Sequence, residues 1–125
     1  MVTVSYWMII AGIIGGIAAA PFGLIDWLAI PKNTRAKSVG LIHGVGNVVV
    51  LLLFIGSWYL RYSPPAIPYV PMTLALLLSF VGFALAGVTG WLGGELVDRL
   101  SVGVDDGANL NAPNSLTGPA THSAR

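Results

Sequence analysis

Few side chains in this chain can carry chemistry. His43 and Asn47 stand four residues apart in GLIHGVGNVVVLLLF, among glycines and inside an otherwise apolar run. An imidazole placed there can settle into an interhelical hydrogen bond with Asn47 or Asp26, handle a proton, or ligate a b-type haem axially as neutral imidazole. Asp26, in GLIDW, either meets Trp27 or basic side chains at the membrane boundary or holds one ring nitrogen of His43. Glu95 and Arg99, at i and i+4 around Asp98, suit an ion pair at a solvated helix end. His43 and His122 are the only histidines and cysteine is absent, which removes thiolate chemistry, disulfides and a two-histidine haem site within the spans. No serine has a base nearby in sequence, and no phosphate loop or dinucleotide fingerprint occurs. The chain is therefore not expected to be an enzyme, and no catalytic residue is assigned.

The elements that must position these groups are membrane helices. Of 125 residues, 55% are hydrophobic and 9% charged, a balance that a soluble domain of this length could not cover with polar surface. With 6 Lys and Arg against 5 Asp and Glu, no charge field points to nucleic acid, and membrane lipids are the expected surroundings. Three runs reach the roughly 20 apolar residues that a helix needs to cross the hydrocarbon core. They extend from about Val4 to Ile30, Val39 to Leu60 and Met72 to Leu96. The expected fold is an all-α membrane protein with a three-helix transmembrane domain over residues 1–100 and an extended polar tail over residues 101–125. That tail, rich in Asn, Pro, Gly and Ser, is too polar for lipid and cannot build a core alone. Lys32, Arg35 and Lys37 occupy the first connection and Arg61 alone the second, which predicts the N-terminus outside and the C-terminus inside. Trp7, Trp27, Trp58, Tyr59, Tyr62, Tyr69 and Trp91 lie near span ends, where amphipathic rings suit the headgroup region.

Small residues recur at helical spacing. Gly12 and Gly16 form one pair, Gly40 and Gly44 another, and Gly82, Ala86, Gly90 and Gly94 a ridge along the third span. Such faces let backbones approach closely, within the chain or with another integral-membrane subunit. The up-down-up order also brings Asp26, His43 and Glu95 to one end of the bundle, with Gly40 and Gly44 flanking the His43 and Asn47 face. A polar cluster of Asp26, His43, Asn47 and Glu95 is expected at the cytoplasmic boundary.

The stretches PFGLIDWLAIP, LIHGVGNVVVLLLF and GWLGGELVDRLSVGVDDGANLNAPNSL together resemble a bacterial membrane family known as domain of unknown function 2231. The resemblance runs from about Ala20 to Ser115, and Asp26, His43, Gly93, Gly94 and Glu95 match its pattern. It implies a multi-pass protein of the bacterial inner (cytoplasmic) membrane. Members typically look like four-helix proteins, and some relatives carry Rieske-type iron–sulfur domains, which implies redox company. The family usually opens with a further helix bearing a histidine-proline motif, whereas this sequence starts at what would be the second. The function expected is that of a small accessory subunit packing through glycine-rich faces into a larger membrane complex of a redox or energy-transducing kind, without a cofactor of its own. The alternative is an electron-transfer domain that binds haem b through His43 with a second ligand from a partner.

Overall fold

A computed structural model describes residues 2–62 and 71–118. They form α1 (Val2–Ala29), α2 (Arg35–Tyr62) and α3 (Thr73–Gly94), and α3 runs on into a π-helical turn (Glu95–Arg99). All three helices are long and apolar enough to span a membrane, and no strand occurs among the described residues. Helix is the form lipid imposes on such segments, because it satisfies each backbone N–H and C=O within the segment. Tyr69 and His122 lie outside the described residues.

The short turn between α1 and α2 explains where α2 begins. Asn33 takes a left-handed φ of 63°, which asparagine tolerates better than most residues. Thr34 then caps the helix, its Oγ1 accepting the Lys37 N–H at 3.1 Å. The helix consequently starts at Arg35, four residues before the Val39 expected from hydropathy, and carries charged residues on its first turn.

The α2 helix is central. It packs extensively on α3 and more lightly on α1, and no Cα of α1 comes within 8 Å of α3. Most large apolar side chains point outward, including Phe22, Leu52, Phe80 and Phe83, while buried positions are held by Ala75, Ser57, Gly82 and Thr89. Small residues inside and large ones outside suit a bundle surrounded by lipid, where close backbone packing rather than exclusion of apolar surface joins helices.

The seam that α3 presents to α2 differs from the straight ridge. Ala75, Gly82, Thr89 and Leu96 are buried, seven residues apart, with Ser79, Ala86 and Gly93 half-buried between them. This alternation of four and three residues averages 3.5 and follows one side of a helix, as in a coiled-coil seam. An unbroken i, i+4 row instead rotates about 40° per step, carrying Gly90 about 80° and Gly94 about 120° away from Gly82. A Cβ built on Gly82 would touch Phe54 at 3.2 Å, whereas one on Gly90 meets nothing within 4 Å. Of the expected ridge, Gly82 and Ala86 belong to the intramolecular seam, and Gly90 and Gly94 are exposed.

Beyond Arg99 the π-helical turn ends on Ser101, which has a φ of 52°, with the Val102 N–H donated to the Leu96 carbonyl at 2.9 Å. From there to residue 118 the chain forms a succession of turns. Asn109 and Asn114 each accept, through Oδ1, the N–H two residues on. These are Asx turns, the form in which such a composition folds locally.

Candidate functional site

Polar side chains gather in three layers along the bundle. At the α1–α2 turn, Trp27 and Lys37 clamp each other. The indole Nε1 donates to the Lys37 carbonyl at 3.1 Å, and the ammonium donates to the Trp27 carbonyl at 2.6 Å while lying 3.9 Å from the ring centroid. Gly40 gives the indole room, since a Cβ there would sit 2.9 Å from Trp27 Cδ1. At the same end Arg35 donates to Glu95 at 2.7 Å, and Arg99 approaches the other carboxylate oxygen at 3.9 Å.

The second layer is deeper. Because α2 starts at Arg35, His43 stands eight residues inside, about 12 Å along the axis, and Asn47 about 18 Å. His43 Nδ1 lies 2.8 Å from the Thr89 carbonyl on α3, and Nε2 lies 3.0 Å from Asn47 Nδ2. A carbonyl can only accept, so Nδ1 carries the proton and Nε2 accepts from the amide. Two other glycines admit this contact: a Cβ on Gly46 would lie 2.5 Å from Thr89 Cγ2, and one on Gly93 would lie 3.1 Å from His43 Cε1.

The expected four-residue polar cluster therefore divides. His43 and Asn47 bond to each other, and Glu95 belongs to the ion-pair layer above them. Asp26 is exposed and makes no hydrogen bond or ion pair among the described residues, so it does not reach His43. With α2 starting a turn early, His43 lies below the layer that Asp26 occupies. Both ring nitrogens are engaged, so axial ligation of a haem by His43 requires breaking one of these bonds. No group of three or more metal-ligating side chains occurs among the described residues.

The third layer, at the opposite end, escapes sequence reasoning. Arg61 is 5% exposed, and its nitrogens approach only hydroxyls: Nε to Ser57 at 3.3 Å, Nη1 to Ser5 at 3.4 Å and Nη2 to Ser79 at 3.3 Å. It has no carboxylate partner among the described residues. Ser57, fully buried, also bonds the Ala75 carbonyl and Ser79 Oγ, each at 2.7 Å. One residue from each helix thus meets one guanidinium. Tyr6, Trp58 and Tyr62 form an aromatic row at the same end, with Tyr6 and Trp58 centroids 6.5 Å apart and the Trp58 and Tyr62 rings stacked at 5.8 Å. The signal was available, since Ser57 and Arg61 share the i, i+4 spacing of His43 and Asn47.

A cleft of about 1120 Å³ runs between α1 and α2 from Ser5 to Trp27. Gly12, Gly16, Gly40 and Gly44 all line it, as do His43 and Asn47. Gly16 is in contact with Leu51, with a built Cβ 2.6 Å from Leu51 Cδ2, but Gly12 and Gly44 have nothing within 4 Å. The small-residue pairs of α1 and α2 thus serve unequally: Gly16 and Gly40 receive side chains of the other helix, and Gly12 and Gly44 leave space.

Three apolar helices joined by short polar layers define a polytopic membrane protein. The family model DUF2231, described as a predicted membrane protein, matches residues 1–106, all three helices included, and the chain belongs to that family. No curated protein and no solved structure shows significant similarity to the chain.

Proposed function

We propose that this protein is a small accessory subunit, without enzymatic activity of its own, that packs into a larger membrane complex of the bacterial inner membrane. The observation that carries the reading is the bare face of α3. Gly87 and Gly90 meet no atom within 4 Å, and Gly94 meets only Asp98 of its own turn. These three positions fall within about 60° of one another around the helix, on a side about 90° round from the seam with α2. Glycines facing lipid gain no packing, whereas a partner helix could approach their backbone closely. The α1 helix adds to this by burying only Tyr6 of its 28 residues.

Charge supports the orientation with the C-terminus inside. Lys32 and Arg35 are exposed at one end together with Arg99, whereas Arg61, at the other end, is enclosed by hydroxyls. The bias toward the cytoplasmic side is sharper for exposed charge than for charge counted along the sequence.

The test is extraction in mild detergent followed by sizing and identification of co-purifying chains. The expected result is a complex that Gly90→Leu and Gly94→Leu disperse while the helical content of the chain persists. A chain that runs alone, with a protease-labile tail, overturns the reading.

A further inference from the structure

We propose that the α1–α2 cleft binds a neutral lipid of the quinone class, with the ring head at Asn47 and the chain along α1. The amide of Asn47 spends one N–H on His43 Nε2. Its Oδ1 has no donor among the described residues yet is not sealed off, and the residue lines the cleft. An acceptor and a second N–H are therefore left without a partner among the described residues, on a residue that lines the cleft in the middle of a membrane helix, where no bulk water serves them.

Depth restricts the occupant. Asn47 is the thirteenth of 28 residues in α2, about 18 Å from its start, so a head that meets it lies near mid-bilayer. A charged or zwitterionic headgroup is excluded there by its solvation, which rules out phospholipids and ionised fatty acids as ligands of the amide. A neutral head with oxygens remains. A quinone carbonyl accepts from the open N–H, and a quinol hydroxyl donates to Oδ1, so the one amide serves both states.

The shape of the walls separates head from tail. The Trp27 bond to the Lys37 carbonyl and the Gly16 contact with Leu51 set the register of the two helices. That register puts Ala19, Ala20 and Gly23 opposite Asn47 and His43, and Gly23 and Gly44 have nothing within 4 Å of a built Cβ. Beside the polar pair the lining combines these small residues with Leu24, Val45 and Val48, and the open positions at Gly23 and Gly44 leave room for a ring. Toward Ser5 the lining changes to Met8, Ile9, Ile13 and Phe54, the apolar surface that a prenyl chain would cover. The volume of about 1120 Å³ slightly exceeds the roughly 300–1,000 Å³ of ordinary ligand sites, as a long-tailed ligand requires, and mostly apolar walls with a few oriented polar groups are their usual form. The bare face of α3 used for subunit packing lies elsewhere, so the two readings fail independently.

The experiment titrates the full-length protein in mild detergent with a decyl-tailed benzoquinone, its quinol, and decylbenzene as the oxygen-free control. Quenching of tryptophan fluorescence is the readout, with Trp27 at one end of the cleft. Saturable quenching by the quinone is expected, weakened about tenfold or more when a ligand hydrogen bond is lost, both in Asn47→Leu and for displacement by decylbenzene. Gly44→Leu fills the cleft at a position with no neighbour, leaves the His43 bonds in place, and should abolish binding with unchanged helical content. Quinone and decylbenzene competing equally would mean that the cleft holds only apolar chains and would overturn the proposal. So would non-saturable quenching, or binding unchanged in Gly44→Leu.

Discussion

Replacing Gly46 by alanine tests how α2 and α3 are joined. The new methyl would stand 2.5 Å from Thr89 Cγ2, against the roughly 3.5–4.0 Å at which carbon atoms rest, so at least about 1 Å must be found. Thr89 cannot easily supply it. Its Oγ1 bonds the Ala86 carbonyl at 3.1 Å, its β-branch restricts χ1, and it is 3% exposed. The helices must part instead, and a displacement of about 1 Å would stretch the 2.8 Å His43–Thr89 bond beyond hydrogen-bond range.

Overpacking of this kind costs about 1–3 kcal/mol, here toward the upper end at about 2–3 kcal/mol because about 1 Å must be found, and the better helix propensity of alanine returns up to about 1 kcal/mol. A net loss of about 1–2 kcal/mol is expected in reversible unfolding from mixed micelles with increasing denaturing detergent. Thr89→Ser deletes the offending methyl and keeps Oγ1, so the double variant should recover most of the loss. The cycle should give a coupling of about 1 kcal/mol or more. If Gly46→Ala is as stable as the parent, or the serine fails to rescue it, the close approach at Gly46 does not hold the seam together.

The other layers give predictions of different sign. Ser57→Ala removes an acceptor from a buried guanidinium and should cost about 1–3 kcal/mol in the same assay, because the cation is left short of partners. Arg61→Met removes the uncountered charge, leaves Ser79 and the Ala75 carbonyl bonded to Ser57, and should fall within about 1 kcal/mol of the parent. The opposite ranking would contradict the account of Arg61 as a charge held only by hydroxyls. Glu95→Gln should lower stability by less than about 1 kcal/mol, and by less still at high salt, because Arg35 is 63% exposed and solvent screens the pair. A larger, salt-independent loss would show that this pair is sheltered. With both nitrogens of His43 engaged, the purified protein should show no Soret band oxidised or reduced. A band that disappears in His43→Ala would show that the ring leaves Thr89 to bind haem.

How much of this was legible follows from what each interaction is made of. The three helices were visible because lipid demands long apolar runs, and their ends differ by a few residues where local capping, such as that by Thr34, outweighs hydropathy. The His43–Asn47 bond was readable from i, i+4 spacing on one helix. The bond to Thr89 was not, because its acceptor is a backbone carbonyl, which every residue possesses and no side chain announces. The same asymmetry explains the glycines. A small residue permits close approach but does not name its partner, so Gly44 and Gly46 look alike in sequence and only Gly46 faces α3.

Helix geometry then decides what such ambiguity leaves over. A seam between two helices follows the 3.5-residue average, and any row of small residues at constant i, i+4 spacing must depart from it after one or two steps. Gly82 and Ala86 remain on the seam while Gly90 and Gly94 emerge on the surface, so one ridge cannot serve a single neighbour along its whole length. On α2 a spacing of two residues, about 200° around the helix, separates Gly46, which closes the α3 side, from Gly44, which opens the α1 side, and His43 and Asn47 stand between them. The imidazole satisfies itself against α3, but the amide has more hydrogen-bonding capacity than one ring nitrogen can absorb. That surplus has no partner among the described residues, which makes Asn47, rather than the more conspicuous histidine, the residue whose substitution most directly tests whether this membrane protein holds a ligand.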